Sequence, residues 1–149
     1  MEKEQYKGLI ERTKLKAISD YIHLEKQRQD IQKNVQDLLN NGQDLIKEYK
    51  LTIEKNEFFI KCIEKENDEN IRNLLEKDLQ KLKKTNESIN KKIEEEKRNY
   101  LEIKDMMKQI KNEKIKMAKD YFKEDVDIDI LTRYANLNSK EIKQIKEID

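Results

Sequence analysis

Apolar side chains recur every seven residues along most of this chain, and that repeat constrains the fold more than any other feature. From Ile71 onward the row reads Leu75, Leu79, Leu82, Ile89, Ile93, Tyr100, Ile103, Met107, Ile110, Met117 and Tyr121, spaced alternately by four and three. Polar interruptions fall at Asn86, Glu96 and Lys114. Seven residues make almost two turns of α-helix, so these positions form one narrow stripe, the seam along which helices wind around each other. An earlier stretch has two rows of its own. One is Ile10, Ala17, Leu24, Ile31, Leu38, Leu45, Thr52 and Phe59; the other, four residues on, is Lys14, Tyr21, Arg28, Val35, Gly42, Tyr49, Asn56 and Ile63.

Composition agrees with long helices. Of the 149 residues 44 % are charged and 35 % hydrophobic, with two glycines and no proline. A compact core needs about 45–50 % apolar residues, whereas a seam needs only two positions in seven. Proline would cost roughly 3 kcal/mol inside a helix. Disorder also suits high charge and low hydrophobicity, but the sustained repeat opposes it.

The repeat slips across Glu64-Lys65-Glu66-Asn67-Asp68-Glu69-Asn70, a run with no apolar residue. Asn67 and Asp68 are natural N-cap residues, because their side-chain oxygens accept from free amides of a helix's first turn. The run therefore divides the helical region into arms at 2–63 and 69–123. The expected fold is all-α: a long antiparallel helical hairpin or coiled coil with a short helical C-terminal tail. An uninterrupted rod that dimerises is the alternative. Asn40-Asn41-Gly42 is a turn signal, and a bend or brief interruption is expected at 40–42.

The tail, 124–149, has a different pattern. Asp125-Val126-Asp127-Ile128-Asp129-Ile130-Leu131 alternates polar and apolar and fits a short strand, or equally a helix from about Asp127 to Ala135. Asn138 and Glu141 are spaced as a capping box, opening a last helix with Ile142, Ile145 and Ile148. Such a segment suits docking on a partner.

Little here can carry catalysis. His23 is the only histidine and Cys62 the only cysteine, 39 residues apart on one arm. That separation is nearly 60 Å along a straight helix, which excludes a His–Cys pair. Cys62, beside Phe59 and Ile63, is expected to be a small packing residue. Two isolated glycines make no phosphate-binding loop. No catalytic, cofactor or metal site is expected.

Arg28, Asn56, Asn86, Glu96 and Lys114 are more informative, because polar residues in a seam select register and partner. Pairing centred on residues 65–70 sets residue i against about 135 − i. That places Glu96 near 39 and Lys114 near 21, with no opposite charge; either both long side chains reach out to solvent or an outside partner supplies the match. Seven lysines lie between Lys104 and Lys123 against three acids. This is chiefly a solvated face and secondarily a contact for acidic surfaces. A net charge of +1 gives no global drive toward nucleic acid or an anionic membrane, so binding of either through the 104–123 lysines is the weaker alternative, and no small-molecule substrate is expected.

The expected function is that of a non-enzymatic coiled-coil subunit of a larger intracellular complex, cytoskeletal or ciliary, acting through protein–protein contacts. Its partners would be other coiled-coil or helical subunits in a hetero-oligomer or homodimer. A chaperone-like binder gripping a client between its helices is the alternative. Partner contacts are expected at Phe58, Phe59 and Ile60 near the turn, at Tyr121 and Phe122, and at Ile128, Leu131, Ile142 and Ile145 in the tail. The seam itself would use Leu24, Ile31, Leu38, Leu45, Leu75, Leu79, Leu82, Ile89, Ile93, Ile103 and Ile110. No stretch approaches the roughly 18 apolar residues of a membrane span, and Met1 to Tyr6 offer no apolar leader, so a cytoplasmic location is expected.

Overall fold

A computed structural model describes residues 2–147, apart from the side chains of Glu2 and Ile10. Ile148 of the expected tail lies outside the described residues. Four helices follow in order: α1 (Glu2–Glu64), α2 (Glu69–Lys123), α3 (Ile128–Ala135) and α4 (Ser139–Lys146). There is no strand among the described residues, so the alternating Asp125–Leu131 segment is not one. Helix α1 runs without a break through Asn40-Asn41-Gly42; the expected interruption does not occur. Turn residues stay helical here because the apolar rows continue on both sides.

The stops and starts follow local chemistry. The Asn70 N–H donates to Asp68 Oδ1 at 3.0 Å, which caps α2. At the end of α2, Asp125 takes a left-handed φ of 67°. The Asp125 and Val126 amides donate back to the Phe122 and Tyr121 carbonyls. This is the hydrogen-bond pair of a Schellman stop, and it turns Val126 into the core, where it is buried. Asp127 caps α3 by accepting from the Asp129 amide. The capping box expected at Asn138 and Glu141 is present, with both reciprocal bonds.

The chain forms two compact units, residues 1–36 with 105–149 and residues 37–104. The second contains the hairpin turn. There α1 and α2 pair antiparallel, and three contacts record the register: Asn56 Nδ2 donates to Asn86 Oδ1 at 2.9 Å, Gln43 Nε2 donates to Tyr100 Oη at 2.8 Å, and Lys83 meets Glu64 at 3.3 Å. On α2 every expected seam residue is in place. Leu79, Ile89 and Ile93 are buried, and Leu75, Leu82, Tyr100 and Ile103 are half-buried. On α1 the companion row is confirmed at Gly42, Tyr49, Asn56 and Ile63, but its mate is Leu39, Ile46, Ile53 and Ile60. That row lies one residue beyond the expected Leu38, Leu45, Thr52 and Phe59. Leu38 is 54 % exposed, Phe59 46 %, and Leu45 half-buried.

The other unit has a third layer. Tyr21 of α1 and Ala118 of α2 enclose a core with Val126, Leu131, Ala135, Leu137 and Ile145. Ile18, Ile115, Met117, Tyr121, Phe122, Ile128, Ile130 and Ile142 pack around it. The Tyr21 and Tyr121 rings lie 5.3 Å apart, and Tyr21 Oη donates to the Leu131 carbonyl at 3.3 Å. Burying a side chain of this size contributes about 1.5–3 kcal/mol. Val35, Met107 and Ile110 carry the seam outside this core. The expected seam residues Leu24 and Ile31 are exposed here too, at 40 % and 52 %.

Candidate interaction surfaces

Arg28, Asn56, Asn86 and Lys114 find partners within the chain, which corrects the expectation of an outside match for Lys114, while half-buried Glu96 lines an open groove. Asn56–Asn86 and Tyr21–Tyr121 are pairs whose numbers add to 142, against an expected 135. The difference is one heptad. Such a slip keeps the same rows facing each other, so the apolar pattern is blind to it. It places Asn56 opposite Asn86, whereas the expected register sets Asn56 against Leu79 and Asn86 against Tyr49. The half-buried Asn56 and buried Asn86 amides satisfy each other, whereas Leu79 could offer Asn56 no hydrogen bond. The geometry follows from α2, whose first turns precede the seam: Ile71 and Leu74 are exposed there at 42 % and 79 %.

Arg28 and Lys114 also have numbers adding to 142, so this register brings two cations to one level, and a separate carboxylate serves each. Glu25, buried on the same helix, takes Arg28 Nε and Nη2 in a forked pair, with contacts of 2.6–3.1 Å. Arg28 Nη1 donates to Gln32 Oε1 at 2.7 Å and to the Ile110 carbonyl at 3.3 Å. Gln29 Nε2 donates to Glu25 Oε1 at 3.1 Å and to the Tyr134 carbonyl at 2.7 Å, tying α3 to the network. Lys114 Nζ meets Glu141 of α4 at 3.2 Å and the Asn136 carbonyl at 3.4 Å. Among the described residues no buried side-chain nitrogen or oxygen is left without a partner. Burial pushes the Tyr21 phenol well above its ordinary value, and the Glu25 carboxylate adds to the shift while Arg28 opposes it. Tyr121 is raised as well, by burial first and then by Asp20, Glu124 and Asp120.

Glu25 was not legible in the apolar pattern, because its row of Ile18, Glu25 and Gln32 loses to the wholly apolar Ala17, Leu24 and Ile31. Arg28 was the available signal, since a buried guanidinium needs a carboxylate three or four residues away.

The tail does not project toward a partner. Leu131 and Ile145 are wholly buried against the chain's own helices, and Ile128, Ile142, Tyr121 and Phe122 pack around the same core. The segment docks on α1 and α2 because those helices offer it Tyr21 and Ala118. Ile60 also leaves the set of partner candidates, since it belongs to the seam. Phe58 remains, 64 % exposed, its ring 6.0 Å from that of Phe59. Cys62 is exposed, not packed. His23 is exposed on α1, 3.3 Å from Gln27 Nε2.

In the unit of residues 37–104 one apolar surface stays open. Leu38, Asn41, Gly42 and Leu45 of α1 and Glu96, Asn99, Tyr100, Glu102 and Ile103 of α2 line a groove of about 400 Å³. Leu51, Phe58, Phe59 and Leu101 add further exposed apolar side chains to this unit. Among the described residues no group of His, Cys, Asp or Glu could hold a metal ion, and no helix is long and apolar enough to cross a membrane. No family model, curated protein or solved structure matches the chain.

Proposed function

We propose that this protein is a non-enzymatic coiled-coil assembly element that works by packing further helical surface against its own. One observation carries the reading. Between Leu38 and Ile63 helix α1 bears three adjacent rows with a seven-residue repeat, and pairing with α2 covers two of them and leaves Leu38 and Phe59 of the third exposed. A helix with two apolar positions per heptad is complete in a pair; one with three belongs in a bundle. The third row, with Leu38 and Phe59 exposed, Leu45 half-buried and Thr52 between them, is the surface through which the protein joins a complex. A cytoskeletal or ciliary assembly is the proposed setting, on architecture alone. The lysines of 104–123 give no comparable support, since Lys114 is engaged by Glu141 and Lys119 is half-buried.

The test is the native size of the protein in extracts of its own cells. The wild type should run in a stoichiometric complex that survives raised salt, and the Leu38→Glu/Phe59→Glu variant should run free with unchanged helicity. A wild type that runs alone, or a variant that stays in the complex, refutes the reading.

A further inference from the structure

The open groove has a floor that the fold does not require. Gly42 lies inside a helix, with an ordinary helical φ rather than a positive one. A Cβ added there would meet only Tyr100 Cδ2, at 3.9 Å, which is ordinary contact. Alanine would therefore fit and would favour the helix. Glycine at this position leaves space beside Tyr100 in the lining of the groove. A bulky side chain from outside could seat there.

Helical spacing places charge around this face. Asn41 lines the groove, and Glu48, Lys55 and Cys62 follow it at seven-residue intervals. Glu102 lines the other wall, and Glu95, Ser88 and Lys81 precede it in the same way; Asn99 does so with Lys92, Thr85 and Asp78 behind it. The end of the face away from the turn thus carries Glu48, Glu95, Glu96 and Glu102. The end near the turn carries Lys55 and Lys81 against Asp78, with Lys92 between the halves. A face that is acidic at one end and basic at the other complements itself when turned through a two-fold axis, the relation that builds closed homodimers. The apolar row has the same property: Leu38 and the groove lie at one end, Phe59 at the other.

We propose that the occupant is a second copy of this chain, its 37–104 unit packed antiparallel on the same face to make a two-fold four-helix arrangement. Phe59 of each copy enters the partner copy's groove over Gly42, and Lys55 and Lys81 of each copy approach Glu95 and Glu102 of the other. This rests on the reading of the protein as an assembly element, and it names the first partner.

Light scattering on the purified full-length chain decides it. The expected mass is twice the 18.1 kDa of one chain, at concentrations above about micromolar. Two charge-reversed variants, Lys55→Glu/Lys81→Glu and Glu95→Lys/Glu102→Lys, alter exposed positions only. Each should be monomeric and fully helical alone, and an equimolar mixture of the two should recover the doubled mass. Gly42→Met should fill the groove and give a monomer that melts no lower than wild type. A monomeric wild type, or a dimer indifferent to the charge reversals and to Gly42→Met, overturns the proposal. The two readings fail separately: a purified monomer that still enters a salt-resistant complex in cells ends the self-pairing and leaves the assembly role standing.

Discussion

The two units are built from the same pair of helices, yet they accommodate polar seam residues by different means. In residues 37–104 the seam is two helices wide. Its amides, Asn56 and Asn86, answer each other across the pair. In the unit of residues 1–36 and 105–149, α3 and α4 form a third layer, and it buries a forked ion pair together with Tyr21. The two-helix seam of residues 37–104 also carries the half-buried Glu96 beside the open groove. A third layer removes more water, and a charge held there must be surrounded by donors, as Glu25 is by Arg28 and Gln29. The open row runs through both units. Of the described side chains in that row, only Ala17 packs against the three-layer core; Leu24 and Ile31 are exposed in the same unit, as Leu38 and Phe59 are in the other.

Removing one member of the ion pair is the most severe test of this contrast. Arg28→Met should cost about 3–5 kcal/mol by leaving the Glu25 charge buried alone, whereas Glu25→Leu/Arg28→Met should return close to wild type or exceed it. Denaturant unfolding of both variants checks this. If the single change is mild, that site is wetter than its burial indicates and the distinction between the units weakens.

Leu131→Ala should cost about 2–5 kcal/mol, because a fully buried side chain is replaced by a cavity. Hydrogen exchange should then quicken across α3 and α4 while the amides near Ile89 and Ile93 keep their protection. Uniform loosening along both long helices would mean that the units do not unfold separately.

Alkaline pH probes the same core. The phenol of Tyr21 holds its proton more tightly when folded than its ordinary value of 10.0 allows. The folded chain therefore binds more protons than the unfolded one as pH rises past that value. Its contribution to stability is complete below about pH 10 and declines above it. Melting temperature against pH should fall on the alkaline side, and less steeply in Tyr21→Phe, with Tyr121 supplying the remaining slope.

A smaller effect is expected in the two-helix seam. Asn56→Leu/Asn86→Leu should raise the melting temperature by the equivalent of about 1 kcal/mol while relaxing the register, seen as doubled amide resonances near Tyr49 and Leu79. A single unchanged set of resonances would show that the amides do not select the heptad. Smallest of all, Leu38→Ala should change the stability of the isolated monomer by no more than about 0.5 kcal/mol, the value for a side chain that covers nothing in its own chain.

Much of the architecture was readable from residues close together in sequence. The seam of α2, the polar break before Glu69, and the capping box of Asn138 and Glu141 each depend on contacts within about a turn or two. The register was readable in principle. Asn56 and Asn86 both interrupt apolar rows, and matching them to each other rather than centring the turn selects the observed pairing. The second α1 row went one residue astray because Leu24, Ile31, Leu38 and Leu45 form an apolar series at least as good as the row actually buried.

By itself, then, the sequence determined an all-helical chain, its break within residues 64–70 and the stripe that α2 presents. These follow from helical periodicity and end capping, which act locally and leave one solution. The tertiary structure decided which α1 row faces inward, which of two registers one heptad apart is used, and that α3 and α4 close on their own chain. The apolar pattern is unchanged by a heptad slip and ambiguous between adjacent rows. The choice therefore passes to contacts between residues distant in sequence: Asn56 with Asn86, Lys114 with Glu141, and Leu131 over Tyr21.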